Sequence, residues 1–262
     1  MAESPRTESA VRIALVFPSL LGTYGDGGNA SVLAQRLRWR GIPADVIDVA
    51  IDAPLPEQAD LFVLGGGEDA AQTLAVSKLA DGSMRRVVDA GKTVFAVCAG
   101  FQILGESFLV GRGEVHPGLG VLDCRTGRLP GARAVGELLD ESAADLGLGV
   151  LTGYENHGGL TTLGPAASPF ATVRQGIGNG EGGVDGAVHD GIVATYLHGP
   201  ALARNPALAD HLLGRVVGDL APLDDHEEDE LRRERLAFVR RQGRTWWRRQ
   251  WRPPARDTSA SP

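Results

Sequence analysis

Several things this chain of 262 residues has little of narrow what it can be. It carries two cysteines, Cys98 and Cys124, so a disulfide framework is excluded and reduced thiols are expected, as in a cytosol. Its apolar residues never run to the roughly 18 or more in a row that a membrane-spanning helix needs. The opening MAESPRTESAVR lacks the apolar core of a secretory signal. These absences predict a cytoplasmic protein. Positive charge is not in excess: the formal net charge is −7, which argues against bulk binding to nucleic acid. Lysine occurs only as Lys78 and Lys92, all other basic side chains being arginine; we attach no functional meaning to this. No G-x-x-x-x-G-K-[ST] phosphate loop is present.

Glycine is abundant, 36 residues, without the periodicity of collagen or of a repeat array. This fits many tight turns between strands and helices. The segment RIALVFPS (12–19) reads as a strand buried on both faces, and LGTYGDGGN (21–29) as a loop whose Asn29 is placed to cap the helical stretch ASVLAQRLRWRG. ADVIDV is a second strand. ADLFVLGGGEDAAQ (59–72) reads as strand, glycine turn and helix start, and KTVFAV followed by AGFQILGESF as strand then helix. Strand and helix alternating in this order predict an α/β fold, an open, mostly parallel flavodoxin-like sheet with helices on both faces. The middle of the chain is richer in short, glycine-bounded strands, and helical spacing returns over residues 205–220.

The expected organisation is a flexible N-terminus over residues 1–10, one domain over 11–220, and a charged helix with a disordered tail over 221–262. The last part joins DDHEEDE to an arginine-rich stretch holding Trp246, Trp247 and Trp251. It reads as a solvated helix fraying into a tail, or as a segment that docks on a partner or a membrane surface.

Three pieces carry chemistry. In VFAVCAGFQILG (94–105) a strand runs into Cys98, and Ala99-Gly100 permits a sharp turn into a helix. Such an elbow exposes a nucleophile above a sheet, and the helix start favours a thiolate; an inert buried cysteine is the other reading. In GIVATYLHGP (191–200) a second strand ends near His198, a general base if it meets the thiol and a structural histidine otherwise. In LGGGEDAAQ (64–72) bare backbone amides stand at a helix start, suited to an oxyanion.

Together these pieces resemble a class I glutamine amidotransferase. The family's nucleophile motif is close to G-x-C-x-G-x-Q; AVCAGFQ matches it at Cys98, Gly100 and Gln102 and departs with Ala96 at the first glycine. The glycines at 65–67 match the oxyanion loop of that family. The resemblance covers residues 11–215 and implies the class I glutamine amidotransferase fold, Cys98 as nucleophile, His198 as general base and acid, oxyanion amides from Gly66, Gly67 and Ala99, and substrate contacts from Gln102 and from Arg133, with Arg128 as the alternative arginine. It implies no metal site.

The family histidine is usually followed two residues later by a glutamate, and here that position is Pro200. This points to the cobyric-acid-synthase-like branch. Within it, YGDGGN, GGGEDAAQ, YENHGG and TYLHGP are similar to the glutaminase subunits of lipid II isoglutaminyl synthases. That resemblance implies ammonia delivery to a Mur-ligase-like (MurT-type) partner, which uses ATP and Mg to amidate the D-glutamate of the peptidoglycan stem, and so a heterodimer working at the inner face of the membrane. With Pro200 in the usual position, the acid that orients His198 is expected from the partner, or from Glu155 within the chain. His157 is expected to shape the YENHGG loop rather than to act in catalysis. The alternatives are a glutaminase of cobalamin-pathway amidation, whose relatives usually carry a fused N-terminal ATP-binding domain for which the first strand near residue 11 leaves no room, a cysteine hydrolase or chaperone of similar architecture, and a non-catalytic α/β binding module.

Overall fold

A computed structural model describes residues 9–111, 113–180 and 182–242. The expected flexible stretch 1–10 falls largely outside these residues, and the tryptophans at 246, 247 and 251 lie wholly outside them.

The order begins with β1 (Val11–Val16), α1 (Gly28–Trp39), β2 (Ala44–Val49), β3 (Leu61–Leu64), α2 (Asp69–Leu79), α3 (Ser83–Asp89), β4 (Thr93–Val97) and α4 (Ala99–Leu104). Then come β5 (Ser107–Val110), β6 (Glu114–Pro117), β7 (Cys124–Arg128), β8 (Ala134–Ser142), β9 (Val150–His157), β10 (Gly159–Leu163), β11 (Ala171–Gln175) and β12 (Val184–Asp185). The chain closes with β13 (Ala187–His189), β14 (Ile192–Thr195), α5 (Ala201–Arg204), α6 (Pro206–Val217) and α7 (His226–Gln242).

The main sheet has the strand order β13-β14-β4-β3-β1-β2. Its pairs are parallel except for the edge strand β13, which runs antiparallel to β14. β3, β4 and β14 are buried at every position, as apolar runs without alternation require in a sheet covered on both faces. The glycine-bounded middle strands form two further four-stranded sheets, β10-β7-β5-β6 and β12-β11-β8-β9. The first mixes one parallel pair, β5 with β7, into an otherwise antiparallel arrangement.

One local expectation fails. Asn29 does not cap α1: the helix begins at Gly28, with Gly27 in the capping position and no side-chain cap. Asn29 is fully buried in the first turn, and its Oδ1 accepts the Leu202 N–H at 2.9 Å. It thus satisfies an amide in the first turn of α5, the kind of donor that a helix cannot satisfy itself.

The acidic start of the C-terminal segment does form a helix, α7, with Glu227, Glu228 and Asp229 in its first turn, where negative charge suits the dipole. It is held to the domain: Arg235 Nη1 lies 3.3 Å from Glu137 of β8, and Val239 is buried. Just ahead of it, Asp225 meets Arg36 of α1, whose guanidinium is 2% exposed and also grips Asp210 of α6 at 2.7 Å. Burial disfavours that charge, yet the two carboxylates hold the Arg36 pKa above its ordinary value. Replacing it, Arg36→Ala, leaves two facing carboxylates without their shared cation. We expect a loss of about 3 kcal/mol in urea unfolding, at the lower end for a broken buried pair because both aspartates reach solvent; a loss below about 1 kcal/mol would contradict this role.

Candidate active site

The site forms where the sheet order places it, at the carboxyl ends of four neighbouring strands, β14, β4, β3 and β1. β4 pairs with both β3 and β14, so Val97 stands beside Thr195 and Ala96 beside Leu64. The next residue of β4 is Cys98. Its N–H is donated to the Thr195 carbonyl at 2.9 Å, and its backbone then turns with φ 51° and ψ −103° into α4. A positive φ at a non-glycine residue costs of order 1–3 kcal/mol and persists only where the surroundings impose it. Here Gly100 packs on β3 so closely that a Cβ would lie 2.7 Å from the Leu64 carbonyl oxygen and 2.8 Å from its Cβ. The sharp elbow expected from CAG is therefore present, and Cys98 is 6% exposed at its tip.

His198 follows β14 by three residues and is fully buried. Its backbone pairs with Tyr154 of β9, N–H to carbonyl at 2.8 Å and the return bond at 3.2 Å. Its Nδ1–H donates to Asp26 Oδ2 at 2.7 Å. Asp26 sits in the loop after β1, and it too is fully buried. This corrects two expectations. An acid for His198 is present within the chain, so the position vacated at Pro200 does not have to be filled from another protein. Nor is that acid Glu155, whose carboxylate accepts the N–H groups of Ile177 and Gly178, each at 3.0 Å, and lies 3.4 Å from His157 Nε2. Glu155 is taken up in building the 176–180 turn.

With Nδ1 committed to Asp26, Nε2 is the nitrogen left for the Cys98 sulfur, and no other partner occupies it among the described residues. Burial opposes charge on His198, but its hydrogen bond to Asp26 and the nearby Cys98 and Asp26 charges overcome that and raise its pKa to about 10. The imidazole is thus held protonated across the neutral range. Cys124 has the opposite setting: it is 1% exposed, and burial, then the charges of Asp123 and Glu106, push its thiol up to about 12. It is a packing residue with no base beside it.

Asp26 Oδ2 also accepts the Gly66 N–H at 2.8 Å. Of the three amides expected at the oxyanion, Gly66 is therefore already engaged. The amides of Gly67 and Ala99 have no hydrogen-bond partner among the described residues, and they flank Cys98 from the 65–67 turn and the first turn of α4. Gly66 has a steric role instead: a Cβ there would lie 2.7 Å from His198 Cε1 and 3.0 Å from Asp26 Oδ2.

Cys98 opens onto a cavity of about 110 Å³ that also meets Gly67, Gln102, Arg128 and Arg133. A larger groove, about 670 Å³, runs along α1 and touches neither Cys98 nor His198; the chemistry lies with the smaller one. Arg133 is braced by Asn156, its Nε donating to Oδ1 at 2.6 Å and its Nη2 to the carbonyl at 2.9 Å. Arg128 donates to the Gly111 carbonyl. Gln102, expected to touch substrate, has its amide engaged at both ends: Oε1 accepts from Gln72, and Nε2 donates to Tyr196 Oη at 3.0 Å. It belongs to a buried chain that continues through Thr161 to Thr126 and braces the cavity wall. His157 stacks on Tyr196 at 3.8 Å, with Nδ1 3.0 Å from the Gly159 carbonyl and Nε2 facing Glu155; the structure places it in the wall.

Three residues that sequence reasoning passed over belong to the site: Asp26, Tyr24 and Asn156. Tyr24 lies edge-on to the His198 ring at 4.9 Å. The available signal was a carboxylate embedded in a glycine loop that follows a buried strand.

Behind the strand that leads to His198, Asp185 accepts the Thr195 hydroxyl at 2.5 Å and the Tyr196 N–H at 3.2 Å, and neither oxygen of its neighbour Asp140 makes a hydrogen bond among the described residues. Both carboxyls are fully buried. Burial, followed by the charges of Asp185 and Glu155, raises the Asp140 pKa well above the ordinary value, and burial brings Asp185 to about 7. The folded chain therefore keeps a proton on the pair that the unfolded chain releases in the ordinary carboxylate range. That contribution to stability is complete in acid and is lost as pH rises toward 7, at about 1.4 kcal/mol per pH unit for one proton. Asp140→Asn removes one of the two buried carboxyls that disfavour each other's charge. Denaturation between pH 4 and 7 should show the wild type losing stability relative to this variant; parallel curves would contradict a proton retained on the buried pair.

Comparison with known proteins agrees with the geometry. Residues 12–206 match the CobB/CobQ-like glutamine amidotransferase domain. The chain is 32% identical, over 75% of its length and 80% of the relative's, to the lipid II isoglutaminyl synthase (glutamine-hydrolyzing) subunit GatD of Staphylococcus aureus. It is 31% identical to the subunit of that name from Streptococcus pneumoniae, over 78% of this chain and 79% of that one. Among solved structures, one described as a glutamine amidotransferase superposes with a TM-score of 0.54 at 22% identity, covering 78% of this chain and 98% of the other; at that identity it supports the fold.

Proposed function

Because the chain belongs to the CobB/CobQ-like glutamine amidotransferases, we propose that it hydrolyses glutamine through a Cys98 thioester and passes the ammonia to a Mur-ligase-like, MurT-type partner that amidates the D-glutamate of the lipid II stem peptide. The observation that carries the hydrolytic half is the Cys98, His198 and Asp26 constellation built on adjacent strand ends. The acceptor half is supported by the similarity to the two GatD subunits.

In this reading glutamine enters the cavity beside Cys98 with its α-carboxylate on Arg133, whose Asn156 brace leaves Nη1 free among the described residues. The Cys98 thiolate, balanced by the His198 imidazolium, attacks the side-chain amide carbon. The tetrahedral oxyanion is held by the N–H groups of Gly67 and Ala99; one such donor is worth roughly 10²–10³ in rate. His198 gives its Nε2 proton to the amide nitrogen, the C–N bond breaks and ammonia leaves. His198 then takes a proton from water, the hydroxide adds to the thioester carbon, and the C–S bond breaks to release glutamate and restore the thiolate. Asp26 keeps Nδ1 protonated and the ring aimed throughout.

ATP and Mg belong to the partner in this scheme, since activation of the acceptor carboxylate is a ligase step. Among the described residues no helix is long and apolar enough to cross a membrane, so work at the inner membrane face would come from lipid II and the partner. The test is to combine the purified chain with the Mur-ligase-like protein of the same cell, ATP, Mg, L-glutamine and lipid II. Mass spectrometry should show the stem carboxylate converted to carboxamide with one glutamate released per amide. Glutamate release without amidation of lipid II would retain the glutaminase and refute the acceptor.

A further inference from the structure

Arg133 lines the cavity beside Cys98, and two side chains link it to His198. Asn156 lies on β9 two residues beyond Tyr154, the residue whose backbone pairs with His198. Its Oδ1 and carbonyl hold Arg133, and its Nδ2 donates to Tyr24 Oη at 2.7 Å. Tyr24 turns its ring to the imidazole of His198, with centroids 4.9 Å apart and planes at 68°. The hydroxyl thus belongs to the arginine side of the site and the ring to the histidine side.

The loop bearing Tyr24 is fixed at its base and spans only at its tip. Thr23 N–H is donated to the Gly66 carbonyl at 3.1 Å, and Asp26 binds both Gly66 and His198. Tyr24 itself has φ 64°, followed by Gly25 at 79°. A tyrosine in the left-handed region is uncommon and is kept there by surrounding contacts, here the bond to Asn156 and the contact with His198.

We propose that Tyr24 is a positioning residue that couples the substrate-anchoring arginine to the catalytic base: its hydroxyl sets Arg133 through Asn156, and its ring fixes the plane of His198. The proposal rests on the glutamine-hydrolysis reading.

The hydroxyl and the ring separate by substitution, measured as glutamate release from L-glutamine by the full chain. Tyr24→Phe removes only the hydroxyl: KM should rise about 3- to 10-fold, the loss of one hydrogen bond, with kcat within about twofold, as for an interaction made equally in ground and transition states. Tyr24→Ala also removes the wall of His198, and kcat should fall roughly tenfold or more further, so that phenylalanine rescues kcat but not KM. Asn156→Ala should raise KM, and adding Tyr24→Phe to it should do no more, since neighbours in one network are not additive. Thermal unfolding of each variant checks the fold. A Tyr24→Phe KM equal to wild type, equal kcat values for Tyr24→Phe and Tyr24→Ala, or additive effects with Asn156→Ala would overturn the proposal. A wild-type chain that releases no glutamate, alone or with its partner, would instead overturn the hydrolytic reading on which it rests.

Discussion

Replacing Cys98 by alanine should reduce glutamate release by at least roughly 10⁴-fold, to the level of the uncatalysed background, while the protein stays folded. Loss of a nucleophile in a hydrolase that works through a covalent intermediate removes the chemical path itself, and the remaining donors recover only a small part of the rate. The fold should tolerate the change because Cys98 makes its structural contacts through the backbone: the N–H bonds Thr195, the carbonyl accepts from Gln102, and φ is imposed by Gly100 packing on Leu64. Alanine at φ 51° bears the same strain as cysteine. The control is Cys124→Ala. That thiol is buried without a base, so its loss should affect stability by about 1 kcal/mol and leave turnover near wild type. Activity retained in Cys98→Ala would place the nucleophile elsewhere.

Asp26→Asn should lower kcat/KM for glutamine by roughly 10²–10⁴-fold, in the range seen when the orienting carboxylate of a Ser-His-Asp triad is neutralised. An amide can still accept the Gly66 N–H, so the oxyanion loop is retained, but it brings no charge to His198. The pH profile is the more telling readout. In the wild type His198 is protonated up to about 10, so the alkaline limb, where the proton needed by the leaving ammonia is lost, should lie near that pH. Without the Asp26 charge, the offset to burial is reduced to that of Cys98 and the limb should move to lower pH. A merely structural aspartate would lower activity without moving the limb.

Most of the site's skeleton was legible in the chain because it is written in local geometry. A buried apolar run ending in C-A-G reads as a strand meeting a tight turn, and GGG before a helical stretch as a glycine turn. The strand–helix alternation of residues 11–104 carried the parallel sheet in the same way. Asp26 was hidden for a different reason. It is 172 positions from His198, and the two meet only because β1 lies three places from β14 in a sheet whose strand order a sequence does not print. Looking for an acid two residues after the histidine found Pro200 and pointed to a second protein. The carboxylate was already in YGDGGN, read there as a loop. Gly66 was misassigned by the same omission, since its amide is consumed by an aspartate whose position was unknown. Asn29 went wrong because the helix begins one residue before it, at Gly28, which leaves its side chain to bond the Leu202 amide.

The central claim is that the hydrolytic centre is complete within this one chain. Its most direct measurement is glutamate release from L-glutamine by the purified full-length chain without any partner, for wild type and Asp26→Asn across pH. The account predicts turnover by the wild type alone, with an alkaline limb near 10, and a loss with a shifted limb in the variant. A chain silent alone that gains full activity with its partner, equally in wild type and Asp26→Asn, would contradict it and return the missing acid to another protein.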